Sequence, residues 1–273
     1  MLTSLSETLL VIFNIACFAM FGVALFETLR MAPASRAPLF RQTALWLVPL
    51  FILAFFIFVT AAVVAPSASM RDWLSHAIGT ILDAAVIFFF AVAGLNLYRR
   101  AQEGNTYFQS PEYSRLSKQR IILEILGFIA ATQFITAALF YVYPPKSTAT
   151  LSELFPVNDL PALAAVAVVL LVLVKAAICE EVMFRLFLFS GLLLWAGERP
   201  GRLVVAVVFP AALWAMGHAG VIEDDWVKLL QIFLSGLLLA AAYLRLGFRA
   251  CIYVHLGLNL GMILLAPLLM PPD

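Results

Sequence analysis

Charged residues are scarce in this chain of 273 amino acids. Only 12% of them are Asp, Glu, Lys or Arg, about half the usual share in soluble domains. The 17 basic residues nearly balance the 16 acidic ones, so the chain lacks the basic surface that nucleic acid would require as a partner. Hydrophobic residues make up 64% of the chain. This composition excludes an ordinary soluble domain and predicts an integral membrane protein surrounded by the lipid bilayer.

Cysteine is also rare. The chain has three cysteines, Cys17, Cys179 and Cys251, which all lie in apolar runs and show no CxxC spacing. This pattern excludes a disulfide framework and a thiolate metal site. Long linkers rich in glycine, serine or proline are absent as well, so nothing in the sequence separates independent soluble domains.

Long apolar runs dominate instead. A transmembrane helix needs about 20 apolar residues, and eight runs meet this length. They cover residues 8–29, 43–65, 77–98, 121–143, 161–179, 203–221, 227–246 and 250–270. We therefore predict an all-α, polytopic membrane helix bundle with about eight transmembrane helices. We expect about four of them in an N-terminal part, residues 1–150, without a recognised motif, and the rest in a core of residues 151–273.

The basic residues predict an orientation in the membrane. No Lys or Arg precedes the first apolar run, which is the opposite of a signal peptide, so we expect a retained helix with its N-terminus outside. With that layout, twelve of the 17 Lys and Arg residues fall in inside loops and three in outside loops. The bias predicts that both termini face outward. We expect a bacterial inner (plasma) membrane.

Polar residues interrupt the apolar second half in three places, each with a four-residue spacing. The three motifs are Glu180-Glu181-x-x-x-Arg185, Trp214-x-x-x-His218 and His255-x-x-x-Asn259. Residues four apart share one face of a helix. A charge at the centre of a membrane costs about 2.5–3.5 kcal/mol on insertion scales, so such charges need a partner or a task.

The first motif separates two adjacent carboxylates. Glu181 and Arg185 are spaced to form an ion pair, whereas Glu180 points about 100° away around the helix. A carboxylate beside two imidazoles in an apolar cavity is suited to taking a proton from water, and a carboxamide such as Asn259 can donate to a developing oxyanion. The residues therefore include a base, helper groups and an oxyanion donor for the hydrolysis of an amide.

The motifs resemble those of the CAAX prenyl endopeptidase and bacteriocin-processing (CPBP, or abortive-infection) family of intramembrane proteases. The family pattern EExxxR matches in full, and HxxxN matches at His255 and Asn259. The pattern FxxxH matches at His218, but Trp214 stands where phenylalanine is usual. The larger ring preserves aromatic packing and is expected to narrow the cavity. The resemblance covers about residues 160 to 265.

This resemblance implies an intramembrane endopeptidase that acts on a peptide or a membrane protein. It implies that Glu180 activates water, that His218 and His255 position the water or the substrate carbonyl, and that Asn259 contributes to the oxyanion hole. Glu181, Arg185 and Trp214 are then supporting residues. The sequence identifies neither the substrate nor the oligomeric state.

A metal-dependent mechanism is the alternative, because Glu180, His218 and His255 together offer a two-histidine, one-carboxylate zinc site. We favour a site without a metal or other cofactor, since neither histidine lies in the HExxH arrangement of zinc proteases.

Two other functions stay open. The chain can be a non-catalytic membrane scaffold or immunity protein of the same family. It can also be a proton-coupled transporter that uses Asp83, Lys175 and Glu180 as a relay, although the lack of an internal repeat counts against this. Asp83 and Lys175 are expected either to pair across helices or to face a wet cavity.

The depth of the two histidines in the membrane poses a difficulty. At 1.5 Å per residue, His255 lies about 9 Å beyond Arg249 and His218 about 24 Å beyond Arg202. Straight perpendicular helices would keep them apart. Tilt, a kink at Pro210 or a helix that extends beyond the bilayer is needed to bring the motifs together.

Overall fold

A computed structural model describes residues 2–64, 70–104, 116–144, 161–221 and 225–269. In these ranges the chain forms eight helices and no strand, which confirms the all-α fold. The helices are α1 (Leu2–Arg30), α2 (Pro33–Val64), α3 (Met70–Gly104), α4 (Lys118–Val142), α5 (Ala162–Ala196), α6 (Pro200–Met216), α7 (Asp225–Leu246) and α8 (Phe248–Leu269).

Six of the eight helices are long and apolar enough to cross a membrane: α1 to α5 and α7. Helix α6 is apolar but shorter, with 17 residues. At 1.5 Å per residue it reaches roughly 26 Å, slightly less than the hydrocarbon core of about 30 Å. The described apolar stretch of α8, Phe248–Leu264, is also shorter. The bundle thus has the expected number of helices, and its two shortest apolar stretches belong to the helices that carry the histidines.

Large apolar side chains cover the outside of the bundle. Phe18 on α1, Leu45 on α2 and Phe134 on α4 are 81%, 71% and 74% exposed, respectively. Half of the apolar window of α7 is buried inside the protein, in contrast to 11% for α1. In water such exposure would favour aggregation, whereas in a bilayer it places apolar groups against lipid. The exposed faces therefore mark the lipid contact, and α7 lies at the centre.

Helix α5 carries the first motif, and it is longer than predicted. It continues past residue 179 to Ala196, and its segment Val182–Phe189 is π-helical. Such turns are rare and frequently occur at functional sites. The apolar run of residues 161–179 is thus part of a longer helix, which also contains Glu180, Glu181 and Arg185.

The N-terminal helices pack directly against this π-helical segment. A Cβ atom added to Gly94 on α3 would lie 2.9 Å from the Leu186 Cγ atom and 3.0 Å from its carbonyl oxygen. Only glycine permits the backbone of α3 to come this close. The predicted division between residues 1–150 and 151–273 stays a prediction, but the described helices of the two parts share one core.

One predicted ion pair within the membrane is present. The Lys175 Nζ atom on α5 lies 2.7 Å from the Asp83 Oδ2 atom on α3. The lysine side chain is 19% exposed and the aspartate side chain 55%. Of the two expectations for these residues, pairing across helices is confirmed.

We expect Asp83→Asn to destabilise the protein by roughly 0.5–3 kcal/mol, because it leaves the Lys175 ammonium without its counter-charge. The double variant Asp83→Asn, Lys175→Met should recover part of this loss. Thermal unfolding in detergent of the wild type and of both variants measures the effect. Equal unfolding temperatures for the wild type and Asp83→Asn would show that the pair does not contribute to stability.

Candidate active site

The three motifs meet at the indole ring of Trp214, which is 1% exposed. Its Nε1–H group donates a hydrogen bond to the Glu180 Oε2 atom. The ring makes edge contacts with His218 and His255, at centroid distances of 5.4 and 5.2 Å. The Arg185 guanidinium lies over the same ring, 4.5 Å from its centroid, in a cation–π contact. Helices α5, α6 and α8 are thus joined through one side chain.

The two histidines, which straight perpendicular helices would have kept apart, both contact the indole. From the sequence, Trp214 was expected to be a packing residue that narrows the cavity. The structure adds a hydrogen bond to a carboxylate, which the phenylalanine usual at this position could not donate.

Glu181 is completely buried and has two partners. Its Oε1 atom lies 3.4 Å from the Arg185 Nη1 atom, which confirms the predicted ion pair. The same oxygen lies 2.8 Å from the His255 Nδ1 atom. Because a carboxylate only accepts hydrogen bonds, Nδ1 is the nitrogen that donates to Glu181, and Nε2 is the nitrogen that faces Glu180. Glu181 therefore orients His255 in addition to pairing with Arg185, a contact that the sequence did not predict.

Glu180 has a different environment from its neighbour. Its side chain is 27% exposed, whereas that of Glu181 is 0% exposed. The Glu180 Oε2 atom lies 3.7 Å from the His255 Nε2 atom. A carboxylate that is partly accessible, fixed by the indole N–H group and next to an imidazole has the arrangement that a general base requires.

Arg185 connects the site to the central helix. It is 2% exposed, and its Nη2 atom donates to the Gly236 carbonyl oxygen on α7 at 3.5 Å. A Cβ atom on Gly236 would lie 2.8 Å from the Ala211 Cβ atom and 3.3 Å from the Trp214 Cε3 atom. Glycine at this position therefore allows α7 to approach α6 and the indole. Among the described residues, Glu181 Oε2 and Arg185 Nη1 are buried without a hydrogen-bond partner.

His218 lies just beyond the end of α6, not within the helix as its spacing from Trp214 suggested. Its backbone N–H group donates to the Ala215 carbonyl oxygen at 2.9 Å, a tighter turn than that of an α-helix. Its Nδ1 atom lies 3.0 Å from the Trp214 carbonyl oxygen. A carbonyl only accepts, so Nδ1 is the protonated nitrogen of His218 and Nε2 is its acceptor.

Asn259 lies one turn after His255 on α8 and is half-buried. Within the described ranges, no hydrogen bond holds its carboxamide. Its part of α8 is fixed by Gln133 on α4, whose Nε2 atom donates to the carbonyl oxygens of Gly257 at 3.0 Å and Leu258 at 3.1 Å. The structure therefore places Asn259 on the same helix as His255, and its role in an oxyanion hole stays a prediction.

A ladder of polar side chains joins α4 and α7, and it was not predicted from the sequence. The Lys228 Nζ atom donates to the Gln231 Oε1 atom at 3.1 Å, and the Gln231 Nε2 atom donates to the Thr136 Oγ1 atom at 3.0 Å. The hydroxyl of Thr136 donates in turn to the Thr132 carbonyl oxygen at 2.9 Å. Lys228 is part of α7, within the apolar run of residues 227–246 that the sequence predicted. A buried amide in an apolar run, here Gln231, was the signal for this ladder.

The proposed zinc ligands do not form a ligand set in this arrangement. In the described part of the chain, no three His, Cys, Asp or Glu residues come together so as to hold a metal ion. Glu180, His218 and His255 are instead grouped around the indole ring, so we derive no step through a metal.

Comparison with known proteins gives one family. Residues 162–261 match the family model described as type II CAAX prenyl endopeptidase, Rce1-like. Neither the curated proteins nor the solved structures include a match to this chain. The matched segment runs from the start of α5 into α8 and contains all three motifs. Residues 162–261 therefore resemble the Rce1-like family of type II CAAX prenyl endopeptidases, in agreement with the three motifs.

Proposed function

We propose that this protein is an intramembrane endopeptidase that hydrolyses a peptide bond with water activated by Glu180. The observation that carries the proposal is the contrast between the two adjacent carboxylates. Glu181 is buried and engaged with Arg185 and His255, whereas Glu180 is partly exposed and held beside the His255 Nε2 atom. One carboxylate thus supports the site, and the other is available to substrate and water.

The proposed reaction needs one proton carrier. Glu180 takes a proton from water while the water oxygen bonds to the carbonyl carbon of the substrate. Glu180 then returns the proton to the leaving nitrogen as the carbon–nitrogen bond breaks. The Nε2 atoms of His218 and His255 are acceptors that hold the water, and Asn259 donates to the oxyanion. Neither histidine has to change its protonation state.

Substrate access from the end of the bundle at the α7–α8 turn is part of the proposal. A cavity of about 590 Å³ lies there, and its lining includes Leu186 of the π-helical segment but none of the motif residues. Its polar and aromatic lining suits a peptide that enters from the membrane surface. This lining includes Gln42, Trp46, Tyr98, Gln102, Arg249 and Tyr253. We propose that the substrate is a peptide or a membrane protein.

Exchanging each glutamate for glutamine should produce two different defects. Glu180→Gln should lower kcat by about 10²–10⁴-fold with little change in unfolding temperature, because it removes the base but keeps the shape. Glu181→Gln should mainly reduce stability, by about 3–5 kcal/mol, because it leaves the Arg185 charge buried without its partner. Cleavage of a peptide identified from the membrane fraction of wild-type cells, together with thermal unfolding of the purified proteins, measures both effects.

A Glu180→Gln variant that cleaves as fast as the wild type would exclude the glutamate mechanism. Full cellular function in both Glu180→Ala and His218→Ala cells would favour a non-catalytic scaffold. Repeating the assay after dialysis against a zinc chelator distinguishes the metal-dependent alternative. The glutamate mechanism requires that activity persist, and loss of activity that returns with added zinc would contradict it.

Trp214→Phe should lower kcat roughly 10-fold, because a hydrogen bond to a charged group contributes about 1.5–3 kcal/mol and phenylalanine cannot donate it. The ring contacts with both histidines are preserved, so the change in KM should be small. Trp195→Phe is a matched control, since Trp195 lies at the surface and packs on Arg202. Equal activity in the two variants would show that the indole N–H group does not position Glu180.

We further propose that both termini lie outside a bacterial inner membrane. The turn between α5 and α6, which contains Arg199, is then inside, and Val221 after α6 is outside. A reporter enzyme that is active only outside the membrane should work when inserted after Val221 and fail when inserted after Glu198. The reverse result would invert the proposed orientation.

A further inference from the structure

The π-helical segment of α5 ends at Ser190, which is completely buried. The backbone N–H group of Ser190 donates to the Arg185 carbonyl oxygen, five residues earlier, and to the Phe187 carbonyl oxygen. An α-helix would instead connect this N–H group to the carbonyl oxygen of Leu186, four residues earlier. The segment therefore holds one residue more in each hydrogen-bonded turn than an α-helix does.

The hydrogen-bond register of this segment decides where the two glutamates directly before it point. A shift of the register by one residue rotates the preceding part of α5 by about 100° relative to the part that follows. The same angle separates Glu180 from Glu181 around the helix. Loss of the π-helical register would therefore turn both carboxylates away from their present partners. These partners are the indole of Trp214 and the imidazole of His255.

Two buried hydroxyl groups hold the end of the segment against α7. The Tyr243 hydroxyl lies 2.6 Å from the Ser190 Oγ atom, which lies 3.4 Å from the Arg185 carbonyl oxygen. A carbonyl oxygen only accepts hydrogen bonds, so Ser190 donates to Arg185 and accepts from Tyr243. The Tyr243 ring also makes an edge contact with Phe189, at a centroid distance of 5.3 Å. A side chain of α7 is thus connected to the carbonyl oxygen that closes the π-helical turn.

Arg185, where this connection ends, is itself part of the site. Its side chain lies over the indole and pairs with Glu181. Its Nη2 atom donates to the Gly236 carbonyl oxygen on α7. Tyr243 follows Gly236 by seven residues, which is about two turns, so both lie on the same face of α7. Arg185 is therefore held to one face of α7 by its side chain and, through Ser190, by its backbone.

We infer that Ser190 and Tyr243 are positioning residues of the active site. Their hydrogen bond holds the π-helical register of α5 and thereby keeps Glu180 at the indole and Glu181 at its buried partners. Both residues are 0% exposed, so they act through the backbone of α5 and not on the substrate. The inference rests on the proposed peptidase function.

The test removes each hydroxyl separately and then both together. Tyr243→Phe keeps the ring contacts and should lower kcat at least about fivefold with KM within about threefold, because it misplaces the base and not the substrate. Ser190→Ala should produce the same defect. The double variant should lose no more than the larger single loss, to within about twofold, because both changes remove the same bond.

Thr28→Val is the matched control. Thr28 is also completely buried, and its Oγ1 atom donates to the Ala24 carbonyl oxygen within α1 at 2.8 Å. The substitution removes a buried hydroxyl that bonds to a helix carbonyl, but it leaves α5 and α7 unchanged. Its kcat should stay within about twofold of the wild type.

Three results would overturn the inference. A wild-type kcat in Tyr243→Phe would show that the hydroxyl does not position the base. Losses that multiply in the double variant would show that the two hydroxyls act separately. An equal loss in Thr28→Val would indicate a general effect of lost stability. If Tyr243→Phe does not fold, Ser190→Ala, which leaves the tyrosine in place, is tested against the same control.

Hydrogen exchange distinguishes the failure of this inference from the failure of the proposed function. In detergent, the backbone amides of residues 182–190 should exchange at least about fivefold faster in Tyr243→Phe than in the wild type, whether or not the protein is a peptidase. Wild-type exchange in this segment would contradict the inference alone. If Glu180→Gln is fully active, the glutamate mechanism itself is wrong, whatever the exchange shows.

Discussion

The Glu181 carboxylate is the contact on which the site depends. One of its oxygens holds both the Arg185 guanidinium on the same helix and the His255 imidazole on α8. Arg185 in turn reaches the Gly236 carbonyl oxygen on α7 and lies on the ring of Trp214 from α6. A buried carboxylate persists only with such partners, because the apolar surroundings provide no other stabilisation for its charge. Four helices are thereby fixed around one ion.

Glu180, the carboxylate next to Glu181 in the chain, lies in a different environment. Glu180 shares the same helix and the same residue type, but it is partly exposed and receives an indole hydrogen bond. The π-helical segment begins immediately after the two glutamates, at Val182. Two carboxylates at adjacent positions therefore have different environments, which is how one fold can provide both a structural anion and a reactive one.

Helices α3 and α4 contribute to the site without belonging to the matched family segment. Helix α3 brings its backbone against the π-helical segment at Gly94, and α4 fixes α8 through Gln133 and α7 through Thr136. Amides and hydroxyls in apolar helices find partners on neighbouring helices, since lipid offers none. The N-terminal half thus positions the motif helices, although it carries no motif of its own.

The sequence alone determined the helical membrane fold, the Glu181–Arg185 pair and the set of motif residues, because apolar run length and four-residue spacing depend only on local helix geometry. It did not determine which partner each group takes. The bond from Trp214 to Glu180, the bond between Glu181 and His255, and the bond from Gln231 to Thr136 all join residues far apart in the chain. Such contacts depend on how the helices are rotated and stacked, and the tertiary structure alone decides this.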